Sequence, residues 1–524
     1  MCFNSKIQKL KKLSFFDKAI VIYLFFLFIF LFYTSYLNSL TTDEGTHLLL
    51  SVFYRDLILH LVNTRDFSFE NAYQYGINYL VHYPKLQIAY PPLYHFTTSL
   101  FFSIFGLSEF IGKFINITYA ILTFLFFYLI IKKFFDSKTA FISTFLFSFS
   151  SFSLYYSNRA MADFTVFFWL ILSIYIFISG LVKKQTKLFA LTGFTSFLAT
   201  MGKQMGAFII LFFLIILLNK TLKEGNKKRN LKNIFIMLLC FSLPLIPYLL
   251  ILDKVGGFKI NEMVAIGYAT STGNPTSVSD PSFWLYFFIK PIENLQSNEF
   301  FPFLPIFLLA FLFYLYKKHP YWKELLLFFL IFYFLLTIIP NKMPRFFQFF
   351  FLPCYLSSGF LIGKIKSKSL PLIFLIIYMS ISLYIFLPTV KYLPSKDVSD
   401  FVFNNKIEGG NVAFISGDVP SVFMWHLLTL DKNRAIRVYS GCMFDNKNSE
   451  EIMKLLKDNN IYFVINSVWF NGSQIEKVKD NLTLVNTIGK NDFITEIYTF
   501  NNFRYNPNKK ICNYICLTKQ KICI

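Results

Sequence analysis

Residues 19–47 read AIVIYLFFLFIFLFYTSYLNSL followed by TTDEGTH. The first part, Ala19–Leu40, is an apolar run, and a helix needs about 20 such residues to cross a bilayer. The second part places two carboxylates, Asp43 and Glu44, just beyond the end of that run. Carboxylates beside a membrane are costly unless water, a cation or a substrate compensates their charge. The stretch therefore predicts a membrane-embedded protein with an acidic site at one mouth.

The composition of the whole chain is that of a membrane protein. Of its 524 residues, 55% are hydrophobic and only 15% are charged, whereas soluble proteins carry about 25% charged residues. The net charge of +22 does not indicate nucleic-acid binding, because the cations lie in short clusters between apolar runs, as in loops of a multi-pass protein. The run Ala19–Leu40 is too long for a signal peptide and lacks a small-residue cleavage site, so we expect it to be retained.

Further apolar segments follow the first at 92–106, 110–131, 138–156, 162–181, 187–201, 205–219, 232–252, 301–317, 322–340, 345–363 and 369–388. Basic clusters between them, together with the N-terminal cluster Lys6–Lys18, predict a cytoplasmic N-terminus. All of these basic clusters lie on the cytoplasmic side in a single topology only if the segment 92–106 does not cross the bilayer completely. We therefore expect a polytopic α-helical protein of the plasma membrane with about 11 to 13 transmembrane helices and an outward C-terminus.

The composition changes after Pro388, which divides the chain into a membrane domain, 1–389, and a second domain, 390–524. The second domain alternates short β-rich stretches with helical patterns, which predicts a small extracytoplasmic α/β domain. The strands are expected at Asn411–Ile415, Ile436–Tyr439, Ile461–Ile465, Leu482–Thr487 and Phe493–Phe500, and the helices around Val422–Thr429 and Ser449–Asn459. The cysteines at 512, 516 and 523 lack a fourth nearby ligand, so no zinc site is expected there.

Polar motifs concentrate on the loops predicted to face outward. In TTDEGTH, an acidic residue that begins a helix along Leu48–Leu61 fits an N-cap, and the same position can orient a catalytic carboxylate. The motifs His82-Tyr-Pro-Lys85 and Ala89-Tyr-Pro-Pro-Leu93 fit a stiff approach to a helix start. They also add a cation at Lys85 and an aromatic hydroxyl at Tyr90.

Three further charges lie at the outward ends of later apolar segments. Arg159 and Asp163 are spaced i, i+4, so they form either a weak local ion pair or part of a site. Lys203 between two apolar helices either snorkels to the surface or serves the site. Arg345 begins a helix, where its charge is unfavourable and a nearby anion would stabilise it. Each motif has an ordinary structural explanation, but all of them lie on one face, which favours a shared site.

The order of these motifs resembles a known family. An Asp-Glu pair in the first outer loop, Pro-Pro-Leu opening the next helix and FGLSEFIGK at 105–113 are followed by Arg-x3-Asp at 159–163. Gly-Lys at 202–203 between paired helices and the late cation Arg345 complete the series. The chain is similar over residues 15–390 to the protein O-mannosyltransferase and aminoarabinose transferase group of GT-C membrane glycosyltransferases.

The resemblance implies a GT-C fold and transfer of a sugar from a polyprenyl-phosphate donor to an acceptor on the outer face, with inversion. It implies that Asp43 is the general base or orients the acceptor, with Glu44 as its partner and Asp163 as the second acidic residue. Lys203 and Arg345 match positions near the donor phosphate. Many members have Lys where this chain has Tyr90, which leaves Lys85 as another candidate for phosphate contact.

The remaining expectations complete the prediction of the site. His47, Tyr90 and Arg159 are expected to position substrate, and membrane lipid surrounds the protein. The alternatives are an oligosaccharyltransferase-like or glycan-polymerising enzyme of the same architecture and, from another class, a transporter or flippase. Transporters usually place charges at the bilayer midplane and contain internal repeats, which this sequence lacks. No cofactor is required by the motifs, use of a divalent Mg or Mn ion is left open, and the acceptor is unassigned between protein, lipid and glycan.

Overall fold

The structure of the protein is a computed structural model, and it describes residues 14–83, 86, 90–223, 227–259, 262, 281–293, 303–339, 345, 348–367, 369–387, 395–407, 410–415, 421–431, 436–439, 441–444, 447–467, 474–490, 493–500, 512–515 and 520–523.

The described residues of the first part of the chain, between 14 and 223, form ten α-helices. They are α1 (Phe15–Leu37), α2 (Thr42–Thr64), α3 (Phe69–His82), α4 (Leu93–Phe105), α5 (Glu109–Phe134), α6 (Ser137–Ser148), α7 (Ser151–Ser157), α8 (Asp163–Lys183), α9 (Thr186–Gly202) and α10 (Ile209–Lys223). A short 3₁₀ helix, Gln204–Phe208, joins α9 to α10. Several of these helices begin at side chains that accept from exposed backbone N–H groups, such as Ser14 for α1 and Asp136 for α6.

Six more helices have both ends within the described residues that precede the C-terminal region. They are α11 (Lys227–Lys254), α12 (Pro281–Glu293), α13 (Leu304–Tyr316), α14 (Trp322–Ile338), α15 (Gln348–Lys364) and α16 (Ser369–Phe386). Within the described residues, six segments are long and apolar enough to cross a membrane, namely Phe15–Leu37, Glu109–Phe134, Asp163–Lys183, Gln204–Lys223, Lys227–Lys254 and Ser369–Phe386. The chain is thus a polytopic α-helical membrane protein, as the apolar runs predict.

Two of the predicted segments differ in detail. The segment 138–156 is two helices, α6 and α7, because Ser150 accepts from the backbone N–H of Ser153 and starts a new helix. Helix α4 corresponds to the predicted segment 92–106 and has 13 residues, which are too few to cross the bilayer completely. The predicted topology requires such a partial crossing at this segment. The number of spans and the orientation of the termini stay predictions.

Aromatic side chains fill the interior of the helical bundle. Helix α9 packs between α8 and α11, and α15 packs on α6 and α13. Within one core cluster, Phe167 of α8 stacks on Phe349 of α15 with ring centroids 4.3 Å apart. This contact holds the start of α8 beside the start of α15, which brings two widely separated loops to the same end of the bundle.

The C-terminal region contains a five-stranded sheet with helices. Its elements are α17 (Ser395–Asn404), β1 (Asn411–Phe414), α18 (Ser421–Leu430), β2 (Val438–Tyr439), α19 (Ser449–Asp458), β3 (Ile461–Ser467), β4 (Leu482–Lys490) and β5 (Phe493–Phe500). The strand order is β2-β1-β3-β5-β4, in which β1 runs parallel to β2 and β3, and β5 runs antiparallel to β3 and β4. The strands β6 (Cys512–Ile515) and β7 (Gln520–Cys523) pair antiparallel in a separate two-stranded sheet. The predicted strands and helices of an α/β region are present.

The C-terminal region packs directly against α2. A side chain at Gly45 would come within 2.5 Å of the backbone of Ser421, so only glycine allows α2 and α18 to approach this closely. The hydroxyls of Thr46 and Ser421 are hydrogen bonded at 2.7 Å, and Phe102 stacks on Trp425 of α18. Side chains of α2, α18 and the sheet share one hydrophobic core. The C-terminal region therefore lies beside the acidic motif.

Candidate active site

Helix α2 carries the acidic motif in its first turn. Thr41 is its N-cap, and the carboxylate of Glu44 accepts from the backbone N–H and the hydroxyl of Thr41 at 2.8 and 3.0 Å. This is half of a capping box, and a carboxylate in the first turn is also stabilised by the helix dipole. The helix therefore begins earlier than the expected stretch Leu48–Leu61, and its N-cap is Thr41, while Glu44 stabilises the cap from the first turn.

Glu44 is fully buried and bridges α2 to the loop before α8. It accepts from Nη1 of Arg159 at 3.1 Å and from the backbone N–H of Ala160 at 2.8 Å. Arg159 also donates to the carbonyl of Ser39 and lies over the ring of Tyr155. These contacts leave Glu44 no access to an acceptor. They also join Glu44 to Arg159, while the catalytic role expected for Glu44 and the substrate-positioning role expected for Arg159 stay predictions.

Asp43 projects from the same turn toward a different partner. Its Oδ2 accepts from Nη1 of Arg345 at 3.2 Å, while 56% of the Asp43 side chain remains exposed. The side chain of Arg345 is only 11% exposed. The ion pair with Arg345 therefore holds Asp43 in place, while more than half of the Asp43 side chain remains accessible to solvent.

Asp163 and Lys203 form a second, fully buried ion pair. Asp163 is the first residue of α8, and Lys203 follows the last residue of α9, so both belong to loops at the same end of the bundle. Gly202 makes this contact possible, since a side chain there would lie 3.0 Å from the backbone of Val166. Lys203 is 4% exposed, so it does not snorkel to the surface, and Asp163 does not pair locally with Arg159.

The two ion pairs belong to one electrostatic cluster. Although burial alone would lower the pKa of Arg345, the carboxylates of Asp163 and Asp43 raise it well above its ordinary value. Burial lowers the pKa of Lys203, with Asp163 opposing the shift and Arg345 adding to it. The cluster therefore contains Asp43, Asp163, Lys203 and Arg345. The sequence predicts that these residues lie close together, because their motifs lie on the same predicted face. Two cations and two carboxylates at a half-open end of the bundle can hold an anion and accept a proton side by side.

Aromatic and imidazole rings form the wall next to this cluster. His47 lies one turn beyond Asp43 and packs edge-on against Tyr90, with ring centroids 5.0 Å apart. Burial raises the pKa of Tyr90, and the charges of Arg345, Asp163 and Asp43 act on it as well. Tyr90 is therefore a neutral hydroxyl beside the charges, where the resembling enzymes have a lysine.

Three buried residues that support the site were not predicted. Nζ of Lys113 donates to the carbonyls of Ser35 and Asn38 at the end of α1, at 3.0 and 2.7 Å. The amide of Asn116 donates to the carbonyls of Tyr156 and Arg159 at 2.6 and 2.9 Å. His95 hydrogen bonds to His47. Lys113 belongs to the FGLSEFIGK motif, but its partners are distant in sequence and no pattern indicates them.

Lys85 lies outside the described residues, as do the neighbours of Arg345 at 341–344 and 346–347. Among the residues that the structure describes, no group of three His, Cys, Asp or Glu side chains has metal-site geometry. The carboxylates of the site do not fit a metal ion, because Asp43 and Asp163 face cations and both oxygens of Glu44 are hydrogen bonded.

The bundle brings the loop after its first helix and the ends of later helices to one charged site beside an α/β region, and this arrangement is the GT-C fold of membrane glycosyltransferases. The sequence profile of the dolichyl-phosphate-mannose-protein mannosyltransferase family matches residues 89–248, less than half of the chain. This stretch contains Tyr90, Asp163 and Lys203. No curated protein sequence matches the chain.

Two groups of solved structures have the same fold. ArnT from Cupriavidus metallidurans, bound to undecaprenyl phosphate, is 11% identical with a TM-score of 0.57, and the alignment covers 94% of this chain and 99% of ArnT. An Archaeoglobus fulgidus oligosaccharyltransferase tethered to an acceptor peptide with the NVT sequon is 11% identical with a TM-score of 0.52. That alignment covers 93% of this chain and 75% of the oligosaccharyltransferase. At such low identity the likeness concerns the fold.

Proposed function

We propose that this protein is a membrane glycosyltransferase that moves a sugar from a polyprenyl-phosphate carrier to an acceptor hydroxyl, amine or amide. The observation that carries the proposal is the cluster in which Asp43 faces Arg345 and Asp163 faces Lys203. The fold shared with ArnT bound to undecaprenyl phosphate supports the same class of donor.

The cations supply the donor half of the site. When the bond between the anomeric carbon and the phosphate oxygen breaks, its electron pair leaves with the polyprenyl phosphate, and negative charge develops on that phosphate. Lys203 and Arg345 are fixed by their carboxylate partners, so they can stabilise this charge without reorganising. A leaving phosphate held by two fixed cations departs faster than one held by water.

Asp43 supplies the acceptor half. The acceptor atom attacks the anomeric carbon on the face opposite the phosphate and loses its proton as the new bond forms, so one displacement inverts the configuration. The proton goes to the carboxylate of Asp43, which is exposed enough to meet the acceptor. Asp163 is buried against Lys203 and positions that cation rather than taking the proton.

We propose that the site faces the outside of the cell. Helices α5 and α8 begin near the site and end at Lys132, Lys133 and Lys183, so the basic residues lie at the opposite end of the bundle. Asp17 at the start of α1 pairs with Lys132, which puts the N-terminal end of α1 on that basic side. Basic ends are cytoplasmic in multi-pass proteins, so this arrangement supports a cytoplasmic N-terminus and an outward C-terminal region.

The test is a donor panel. Purified protein is incubated with polyprenyl-phosphate mannose, glucose, aminoarabinose and N-acetylglucosamine, and the released polyprenyl phosphate is measured for the wild type, Asp43→Asn and Asp480→Asn. Asp480 is exposed and belongs to the C-terminal region, so the control removes the same charge elsewhere. We expect one donor to be consumed and Asp43→Asn to slow its turnover by about 10² to 10⁴. Consumption of no donor contradicts the enzyme class, and full turnover by Asp43→Asn contradicts the base assignment.

A further inference from the structure

His47 is held at the edge of the charged cluster by a second histidine. It follows Asp43 by four residues on α2, so the two side chains share one face of the helix. Nδ1 of His47 lies 2.8 Å from Nε2 of His95, and the two rings are nearly parallel, with centroids 5.1 Å apart. Nδ1 of His95 in turn lies 3.1 Å from the carbonyl oxygen of Pro91. The three groups form a single hydrogen-bonded chain.

The direction of this chain follows from the carbonyl at its end. A carbonyl oxygen only accepts, so Nδ1 of His95 must carry the proton and donate to Pro91. A neutral imidazole has one N–H, which leaves Nε2 of His95 as an acceptor. Nδ1 of His47 must therefore donate to it. The remaining nitrogen, Nε2 of His47, then carries a lone pair and no proton.

The surroundings keep His47 neutral. Burial lowers its pKa well below the ordinary value, and the positive charges of Lys203 and Arg345 lower it further. The other titratable groups around it are Asp43 on its own helix, Tyr90 before α4, and Tyr94 and His95 on α4. No described residue makes a hydrogen bond to Nε2 of His47. The lone pair on Nε2 of His47 therefore has a fixed direction, and it lies among the buried rings beside the charged cluster.

We propose that Nε2 of His47 accepts a hydrogen bond from a substrate hydroxyl, and that His95 is the positioning residue that sets the tautomer needed for this contact. A phosphate oxygen of the lipid-linked sugar cannot be the partner, because it also presents lone pairs. A hydroxyl is the hydrogen-bond donor that every sugar in the donor panel carries, so we assign the contact to a sugar or acceptor hydroxyl. The inference rests on the proposed function and adds a specificity contact to it. It also assigns a role to His95, whose ring never needs to touch the substrate.

Substitutions at the two histidines test the contact. In His95→Phe, His47 loses the acceptor that fixes its tautomer, and we expect kcat/KM to fall about tenfold, the size of one hydrogen bond. In His95→Gln, the amide oxygen can still accept from Nδ1 of His47, so we expect activity within about twofold of the wild type. A rise in the KM of the polyprenyl-phosphate sugar assigns the hydroxyl to the donor, and a rise in the KM of the acceptor assigns it to the acceptor.

A double-mutant cycle separates this role from a merely structural one. If His95 acts only through His47, adding His95→Phe to His47→Phe lowers kcat/KM no further. Full additivity of the two losses, with both single variants folded by size-exclusion chromatography, overturns the proposal. Equal loss in His95→Gln and His95→Phe overturns it as well.

A spectroscopic measurement is independent of turnover. The ¹⁵N shifts of histidine side chains distinguish a protonated from a bare ring nitrogen, and His47→Gln assigns the signal. A bare Nε2 on His47 near neutral pH supports the proposal, and a protonated Nε2 overturns it. A chain that consumes no polyprenyl-phosphate sugar would contradict the proposed function, while the tautomer would still be decided by this spectrum.

Discussion

Asp43 and Arg345 are 302 residues apart in the sequence and form an ion pair across the mouth of the helical bundle, with Nη1 of Arg345 3.2 Å from Oδ2 of Asp43. The pair joins the first turn of α2 to the segment before α15. It places the proposed proton acceptor directly beside a cation proposed to hold the leaving phosphate. A single substrate whose anomeric carbon lies between the two groups would meet both at once.

Arg345→Gln is expected both to weaken donor binding and to slow the chemical step. The variant removes one of two fixed cations facing the phosphate but leaves the carboxylate of Asp43 in place. A charge-assisted hydrogen bond contributes about 1.5 to 3 kcal/mol, so the KM for the polyprenyl-phosphate sugar should rise about 10- to 100-fold. Initial rates over a donor concentration series check this, with Arg65→Gln, an exposed arginine at the end of α2, as the control. A normal donor KM in Arg345→Gln would refute the phosphate contact.

The pair Asp163–Lys203 should behave differently in stability and in activity. Breaking a buried ion pair by removing one partner costs about 3 to 5 kcal/mol, because a buried charge is left without compensation. Lys203→Met and Asp163→Asn should therefore each lower the unfolding temperature in detergent, and the double variant should recover much of the loss. Activity should not recover in the double variant, since the phosphate cation is still missing. Recovery of both would mean that the pair is only structural.

Glu44→Gln is expected to reduce stability and spare turnover, the opposite pattern to Asp43→Asn. Its carboxylate is fully buried between Thr41, Arg159 and the N–H of Ala160. The neutral amide removes the negative charge that Glu44 holds against Arg159, so about 3 kcal/mol of stability should be lost. Thermal unfolding and turnover per folded molecule, measured on the same preparation, separate the two effects. A folded Glu44→Gln protein without turnover would restore the catalytic role predicted for Glu44.

The sequence predicts much of this fold because its signals are local. Apolar length locates the helices, and alternating short strands and helices locate the C-terminal sheet, where β1 and β5 begin at the predicted residues. The convergence of Asp43, Asp163, Lys203 and Arg345 is predicted by topology, since all four belong to loops on one face. These inferences need no knowledge of which helix packs on which.

The partners of the charged residues are not predictable in this way. The spacing of Arg159 and Asp163 suggests an i, i+4 pair, but that geometry requires a helix, and α8 begins only at Asp163. Arg159 instead meets Glu44, 115 residues away, and Lys203 meets Asp163. His95 escapes notice for the same reason, because its partner His47 is 48 residues earlier in the sequence. Such contacts depend on helix packing, which hydropathy does not encode.

Lowering the pH below about 6.5 should destabilise the folded protein through His47. Its folded-state pKa is depressed by burial and by Lys203 and Arg345, so the unfolded chain takes up a proton first as the pH falls below 6.5. Each pH unit below that value costs about 1.4 kcal/mol for one such histidine, until the folded-state pKa is reached. Unfolding temperatures measured from pH 7.5 to 5 check this, and His47→Gln should flatten the dependence. An identical pH dependence in both proteins would show that His47 is not the responsible group.

Transfer is expected to proceed without a divalent metal ion. A metal site needs several free oxygen ligands, but Asp43 and Asp163 each face a cation and Glu44 is enclosed. A divalent ion would have to displace Arg345 or Lys203 from its carboxylate, which costs the buried cation that ion pair. Turnover should therefore be unchanged after dialysis against EDTA and after addition of Mg²⁺ or Mn²⁺. Loss of activity in EDTA that Mg²⁺ or Mn²⁺ restores would show that the two ion pairs open when substrate binds and that the carboxylates then serve as ligands.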